Sequence, residues 1–160
     1  MLKNAWYLIT HADFFDGVPN FPRLPQASEL MATLEELFGD EAGISPAHTA
    51  TAVEVMLRMA EHLSDAIPHG GRHAVANTDQ LARLLTGLNL LLAYAAQVSG
   101  RLAHQVDTGT GADLSHLPTD DRAALTTAVA AASCRLEEAA GLLKEAHLAT
   151  GSTARPAARP

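Results

Sequence analysis

Apolar residues recur along this chain at spacings of three and four, the period of a helix face, and no segment shows the strict alternation of a half-buried strand. Leu30, Leu34, Leu37 and Phe38 mark a short first helix over about 28–38, with Ser28 as its N-cap and Gly39 ending it. Ser45 followed by Pro46 is a helix-start signature. It opens a second helix over about 46–67, with Val53, Met56, Leu57, Ala60, Ser64 and Ile67 on one face. Glu54, Arg58, Glu61 and Asp65 lie mostly opposite, Glu54 and Arg58 at the favourable spacing for an ion pair, and Pro68 is expected to stop the helix.

A third helix starts near Asn77 or Thr78 and reaches about Val106. Its apolar positions are Leu81, Leu84, Leu85, Leu88, Leu92, Ala95, Leu102 and Val106, and Leu90, Leu91 and Val98 widen the stripe past one face. A helix apolar nearly all round is expected to be surrounded by others, so this one is expected at the centre of the fold. Asp107 to Asp113, rich in Gly and Thr, reads as a connector. Thr119 is the expected cap of a fourth helix, with Asp120 and Asp121 in the first turn, where negative charge suits the helix dipole. Leu125, Val129, Ala132, Leu136, Ala139, Leu143 and Ala146 recur at alternating gaps of four and three, a heptad-like seam whose alanines allow close approach. Gly151 is the expected C-cap.

Residues 1–27 break the pattern. Trp6, Tyr7, Phe14, Phe15 and Phe21 are five of the seven aromatic residues, and Pro19, Pro22 and Pro25 forbid a continuous helix. This predicts an extended arm that packs on its own helices or inserts into a protein partner or a second copy. The expected architecture is all-α: a helical bundle of about four helices, three long and one short. The aromatic, proline-rich arm spans 1–27, the bundle 28–150 and a disordered tail 151–160.

Composition narrows the function classes. The net charge is −7; residues 1–65 hold ten acids against Lys3, Arg23 and Arg58, while the remaining eight acids are balanced by eight bases. No segment carries the clustered Lys and Arg that drives binding to a phosphate backbone, so nucleic acid is not an expected partner. The longest uncharged run, Leu84 to Gly100, includes Thr86, Gly87, Asn89, Gln97 and Ser99; it is read as a core helix rather than a membrane span. The single cysteine, Cys134, cannot form an internal disulfide and fits a reducing compartment. The expected location is cytoplasmic, with no membrane contact.

The motifs that would carry catalysis are absent. Gly109-x-Gly111 follows no strand and lacks a third glycine, and there is no Walker-type loop or nucleophile elbow. The eight histidines include no His-Glu-x-x-His motif; His62, His69 and His73 near Gly70-Gly71 are the only grouping a metal would use, and they read as solvated. His48 lacks the basic residue and glycine that follow a phosphotransfer histidine. Cys134 has no base at hand and reads as a packed thiol. No catalytic residue, metal or cofactor is therefore expected.

The function expected is a non-enzymatic interaction protein: an adaptor or accessory regulator that acts through helix–helix contacts and self-associates as a homodimer. Its interface would be Trp6, Tyr7, Phe14 and Phe15 of the arm with Leu125, Val129, Ala132, Leu136, Ala139 and Leu143. The alternative is a small-molecule sensor whose pocket is Asn89, Tyr94 and Gln97, polar groups in an otherwise apolar helix. Asn89 and Gln97 are equally expected to cap or bridge an ordinary core, or to point to solvent.

Overall fold

The computed structural model describes residues 6–9, 24–40, 42–110 and 113–153. The chain is an all-α helical bundle of four α-helices, with no strand among the described residues. They are α1 (Ala27–Phe38), α2 (Pro46–Gly70), α3 (Thr78–Thr108) and α4 (Thr119–Thr153); a 3₁₀ turn, Gly71–His73, follows α2. Phe14, Phe15 and Phe21 of the arm, and 154–160 of the tail, lie outside the described residues.

The described residues belong to two compact units. One comprises α1, α2 and the 3₁₀ turn; the other comprises residues 6–9, α3 and α4. In the first, Ser45 caps α2 as expected: its Oγ accepts from the His48 N–H at 3.3 Å and lies 2.8 Å from His48 Nδ1. α1 starts after Gln26, which gives no side-chain cap, so Ser28 lies inside the helix. α2 does not stop at Pro68 but runs to Gly70 and ends where Gly71 takes φ +49°. Proline costs a helix one backbone bond and a clash one turn back. Only two helical residues follow Pro68 before Gly71, so the helix ends within a turn of it, and His69 Nδ1 sits 2.8 Å from the Asp65 carbonyl oxygen. Arg58 pairs with Glu61 at 3.2 Å rather than with Glu54. Neither α1 nor α2 holds a single buried residue.

The second unit is an antiparallel hairpin. Gly109, at φ +66°, ends α3 in a Schellman motif: the Thr110 N–H donates to the Gln105 carbonyl at 3.1 Å, and that of Gly109 to Val106 at 3.4 Å. The Asp113 carboxyl is then held below its usual range by the Ser115 hydroxyl first and by the Ser115 N–H, which donates to it at 3.0 Å. α4 passes through Gly151 and ends at Thr153, so Gly151 is not a cap.

The facing surfaces are not the ones the apolar pattern picks out. On α3 the positions Ala82, Thr86, Asn89, Ala93, Ala96, Gly100 and Ala103 recur at four and three; five of them, Thr86, Asn89, Ala93, Ala96 and Ala103, are buried. The leucines of α3 flank this seam or lie opposite it. On α4 the positions Thr126, Val129, Ser133, Leu136, Ala140, Leu143 and His147 recur at three and four, all of them buried or half-buried. This seam shares Val129, Leu136 and Leu143 with the expected one, but its other edge is shifted by one residue. Leu125 and Ala132 are exposed; Ala140 is fully buried.

The shift has a chemical cause. Small residues let the helix backbones approach, and short polar side chains then reach carbonyls across the gap, a packing style shared with membrane helices. Ser133 Oγ donates to the Ala96 carbonyl at 2.8 Å. His147 Nδ1 lies 3.2 Å from both the Ala82 carbonyl and Thr86 Oγ1. A Cβ on Gly100 would stand 3.2 Å from Ser133 Oγ, so the approach there leaves little room for a larger residue. Cys134, on the other side of α4, is exposed rather than packed. α3 is therefore not a helix enclosed on all sides: Leu91, Tyr94, Val98 and Leu102 are exposed.

Candidate functional site

The only long-range polar anchorage of the N-terminal segment among the described residues is the hairpin, and Asn89 is its centre. Its side chain is fully buried, in the middle of the uncharged run of α3. Oδ1 accepts from the Ile9 N–H at 2.9 Å, and Nδ2 donates to the Tyr7 carbonyl and to the Ala140 carbonyl, each at 2.7 Å. One N–H and two carbonyls allow a single orientation of the amide. The groups it reads on the arm are the carbonyl before Leu8 and the N–H after it. A parallel β-strand offers its neighbour the same pair of groups, so the Asn89 amide stands in for the N–H and C=O of one residue of an adjacent strand.

Three further contacts fix the arm along α4. Lys144 Nζ donates to the Trp6 carbonyl at 2.6 Å. The Trp6 ring lies over Gly141, where a Cβ would come within 2.5 Å of Cζ3. The Tyr7 hydroxyl donates to Glu137 Oε1 at 3.5 Å, and burial together with the Glu137 charge raises the Tyr7 pKa above its ordinary value. Trp6 and Tyr7 meet edge to face, ring centres 5.6 Å apart. Ile9 is buried, while Trp6 stays 69% exposed. Apart from the Tyr7 hydroxyl, every polar contact the hairpin makes to residues 6–9 among the described residues goes to arm backbone.

Asn89, Tyr94 and Gln97 do not converge. Gln97 is about two helical turns from Asn89 along α3, and Tyr94 projects from a different side, exposed. Both N–H groups of Asn89 are used by the chain itself. A shallow open depression lined by Leu57, Ala60, Glu61, Ser64 and Asp65 lies on α2 and includes none of the three. His62, His69 and His73 are exposed, and among the described residues no group of three His, Cys, Asp or Glu side chains is placed to hold a metal ion.

The second feature is the back of α3. Leu84, Leu88, Leu91, Ala95, Val98 and Leu102 also recur at four and three, on the face opposite the seam with α4. At 1.5 Å per residue this face runs about 27 Å. Leu91, Val98 and Leu102 are 40%, 56% and 49% exposed. α3 is long and apolar enough to cross a membrane by length and composition. Its partner α4 is not of that kind, since Arg135, Glu137, Glu138 and Lys144 lie in mid-helix.

Sequence reasoning singled out Asn89 for a pocket and the aromatics for an interface, but did not connect them. The available signal was the lone amide in a leucine-rich run, and a heptad of small residues around it. No protein-family model, curated protein or solved structure matches the chain.

Proposed function

We propose that the chain is a non-enzymatic interaction protein that acts by helix–helix contact with a second copy of itself. The observation that carries this reading is the outward face of α3. Inside the hairpin α3 spends small residues, and Leu84, Leu88, Leu91 and Leu102 lie on the face opposite. A seam of six apolar positions opposite the first supports a second helix contact. No charged residue lies between Arg83 and Arg101, so the face meets its own copy without like-charge repulsion over that span. Isologous pairing about a two-fold axis is the commonest way such a self-complementary face is covered. The charges along α4 speak against bilayer insertion of the hairpin, because mid-helix ions are costly in hydrocarbon. A cytoplasmic accessory or adaptor role is part of the same proposal.

The test is cross-linking at the face. In a Cys134→Ser background, Val98→Cys is expected to give a disulfide-linked dimer under mild oxidation, and Ala131→Cys, an exposed position of α4, is not. Equal cross-linking at the two positions would reduce the contact to random collision and remove the reading.

A further inference from the structure

We infer that the arm docks in trans: in the dimer, the Trp6–Ile9 segment of one copy lies in the Asn89 groove of the other. The inference rests on the self-association proposed above and adds its second contact.

Three observations carry it. First, the groove reads backbone. Asn89 takes the Tyr7 carbonyl and the Ile9 N–H, and Lys144 takes the Trp6 carbonyl. Such a site accepts an extended segment from any chain, and its side chains, Trp6 over Gly141, Tyr7 at Glu137 and the buried Ile9, select the segment that every copy carries. Second, the arm and its groove are far apart in sequence. Residues 6–9 and α3 are separated by a whole compact unit, α1 with α2, so the arm reaches its groove at the end of a long tether. A long tether weakens the preference for the chain's own groove over a neighbour's once two copies are held together. Third, exchange changes no contact. Each hydrogen bond is kept, and a reciprocal exchange fills both grooves, which is why arm swapping is a low-cost route to a dimer.

Trp6 is the only tryptophan, which makes the test direct. Two full-length variants are made. Trp6→Ala/Ile9→Pro has an intact groove, lacks the N–H that Asn89 accepts, and is silent when tryptophan is excited. Asn89→Leu has an intact arm and no groove. Gly141→Leu, which fills the seat of the Trp6 ring, is a second groove-dead variant in case Asn89→Leu does not fold. Steady-state anisotropy of Trp6 is read while the silent variant is added to the groove-dead one, with native mass spectrometry in parallel. Exchange predicts that anisotropy rises from a low starting value to that of the wild type as the mixed dimer forms. If mixed dimers form and the anisotropy stays low, the arm docks only in its own chain, and the inference fails while self-association stands. If neither mixture nor wild type forms a dimer, both fail.

Discussion

Asn89 donates a hydrogen bond to the carbonyl oxygen of Ala140 at 2.7 Å, so one buried side chain joins α3 to α4 where the arm crosses both. The same amide holds Tyr7 and Ile9. Few other residues here have consequences in three segments at once.

Asn89→Ala should therefore cost more than a typical core truncation of its size. It strips partners from the Tyr7 carbonyl and the Ile9 N–H, and leaving a buried group unpaired costs about 1–3 kcal/mol. A loss of about 2–4 kcal/mol in urea unfolding is expected, with Trp6 anisotropy falling under native conditions. Asn89→Asp should be worse, since a carboxylate cannot donate to either carbonyl and would place a charge at a position with no solvent exposure. Unchanged stability in both variants would mean that the arm is not held by this amide.

Gly141→Ala separates arm docking from hairpin stability. A Cβ there would meet the Trp6 ring at 2.5 Å and 2.7 Å, so the ring must move. Replacing Gly by Ala inside a helix gains up to about 1 kcal/mol. The expected result is global stability within about 1 kcal/mol of the wild type, with a more mobile Trp6. A wild-type anisotropy would show that Gly141 is not the seat of the ring.

Thr126 gives a prediction of the opposite sign. Its Oγ1 is buried on the α4 seam with no hydrogen-bond partner among the described residues. Thr126→Val keeps the shape and removes the unpaired hydroxyl, so it should leave stability unchanged or raise it by about 1 kcal/mol. A clear loss in thermal unfolding would place a hydrogen-bond partner at that hydroxyl.

The Tyr7 hydroxyl adds an alkaline pH dependence. Burial first, then Glu137, raises its pKa above the ordinary value of 10.0. The folded state thus holds the phenolic proton more tightly than the unfolded state. This contribution is fully present below pH 10 and is lost as pH rises through the raised folded pKa. Tyr7→Phe should flatten the stability profile above pH 10, and Glu137→Gln should reduce its slope. A profile identical to the wild type in Tyr7→Phe would remove this linkage.

Much of the fold was legible in the sequence. Ser45 with Pro46 and the leucine periods located the helices, because caps and helical spacing are local properties. What periodicity did not reveal was which face meets which. Ranking positions by hydrophobicity chose Ala132 and Ala139 on α4. The structure uses Ser133 and His147 beside the fully buried Ala140, because a short polar group that reaches a carbonyl across a close helix contact is as well placed as a methyl. The same effect hid the role of Thr86 and Asn89. The heptads Ala82-Asn89-Ala96-Ala103 and Thr86-Ala93-Gly100 were present throughout but carry little hydrophobic signal. The grip on the arm joins residues some 80 positions apart, and no local pattern encodes that.

The most direct test of the account is the mass in solution of the wild type and of Val98→Glu, measured by sedimentation velocity across a range of concentrations. Val98 is more than half exposed, so a glutamate there should change folding stability by no more than about 0.5 kcal/mol. Self-association through the outward face of α3 predicts a wild-type dimer of 16.8 kDa chains and a folded, monomeric Val98→Glu. A wild type that stays monomeric at every concentration, or a Val98→Glu that sediments as the wild-type dimer does, would contradict it.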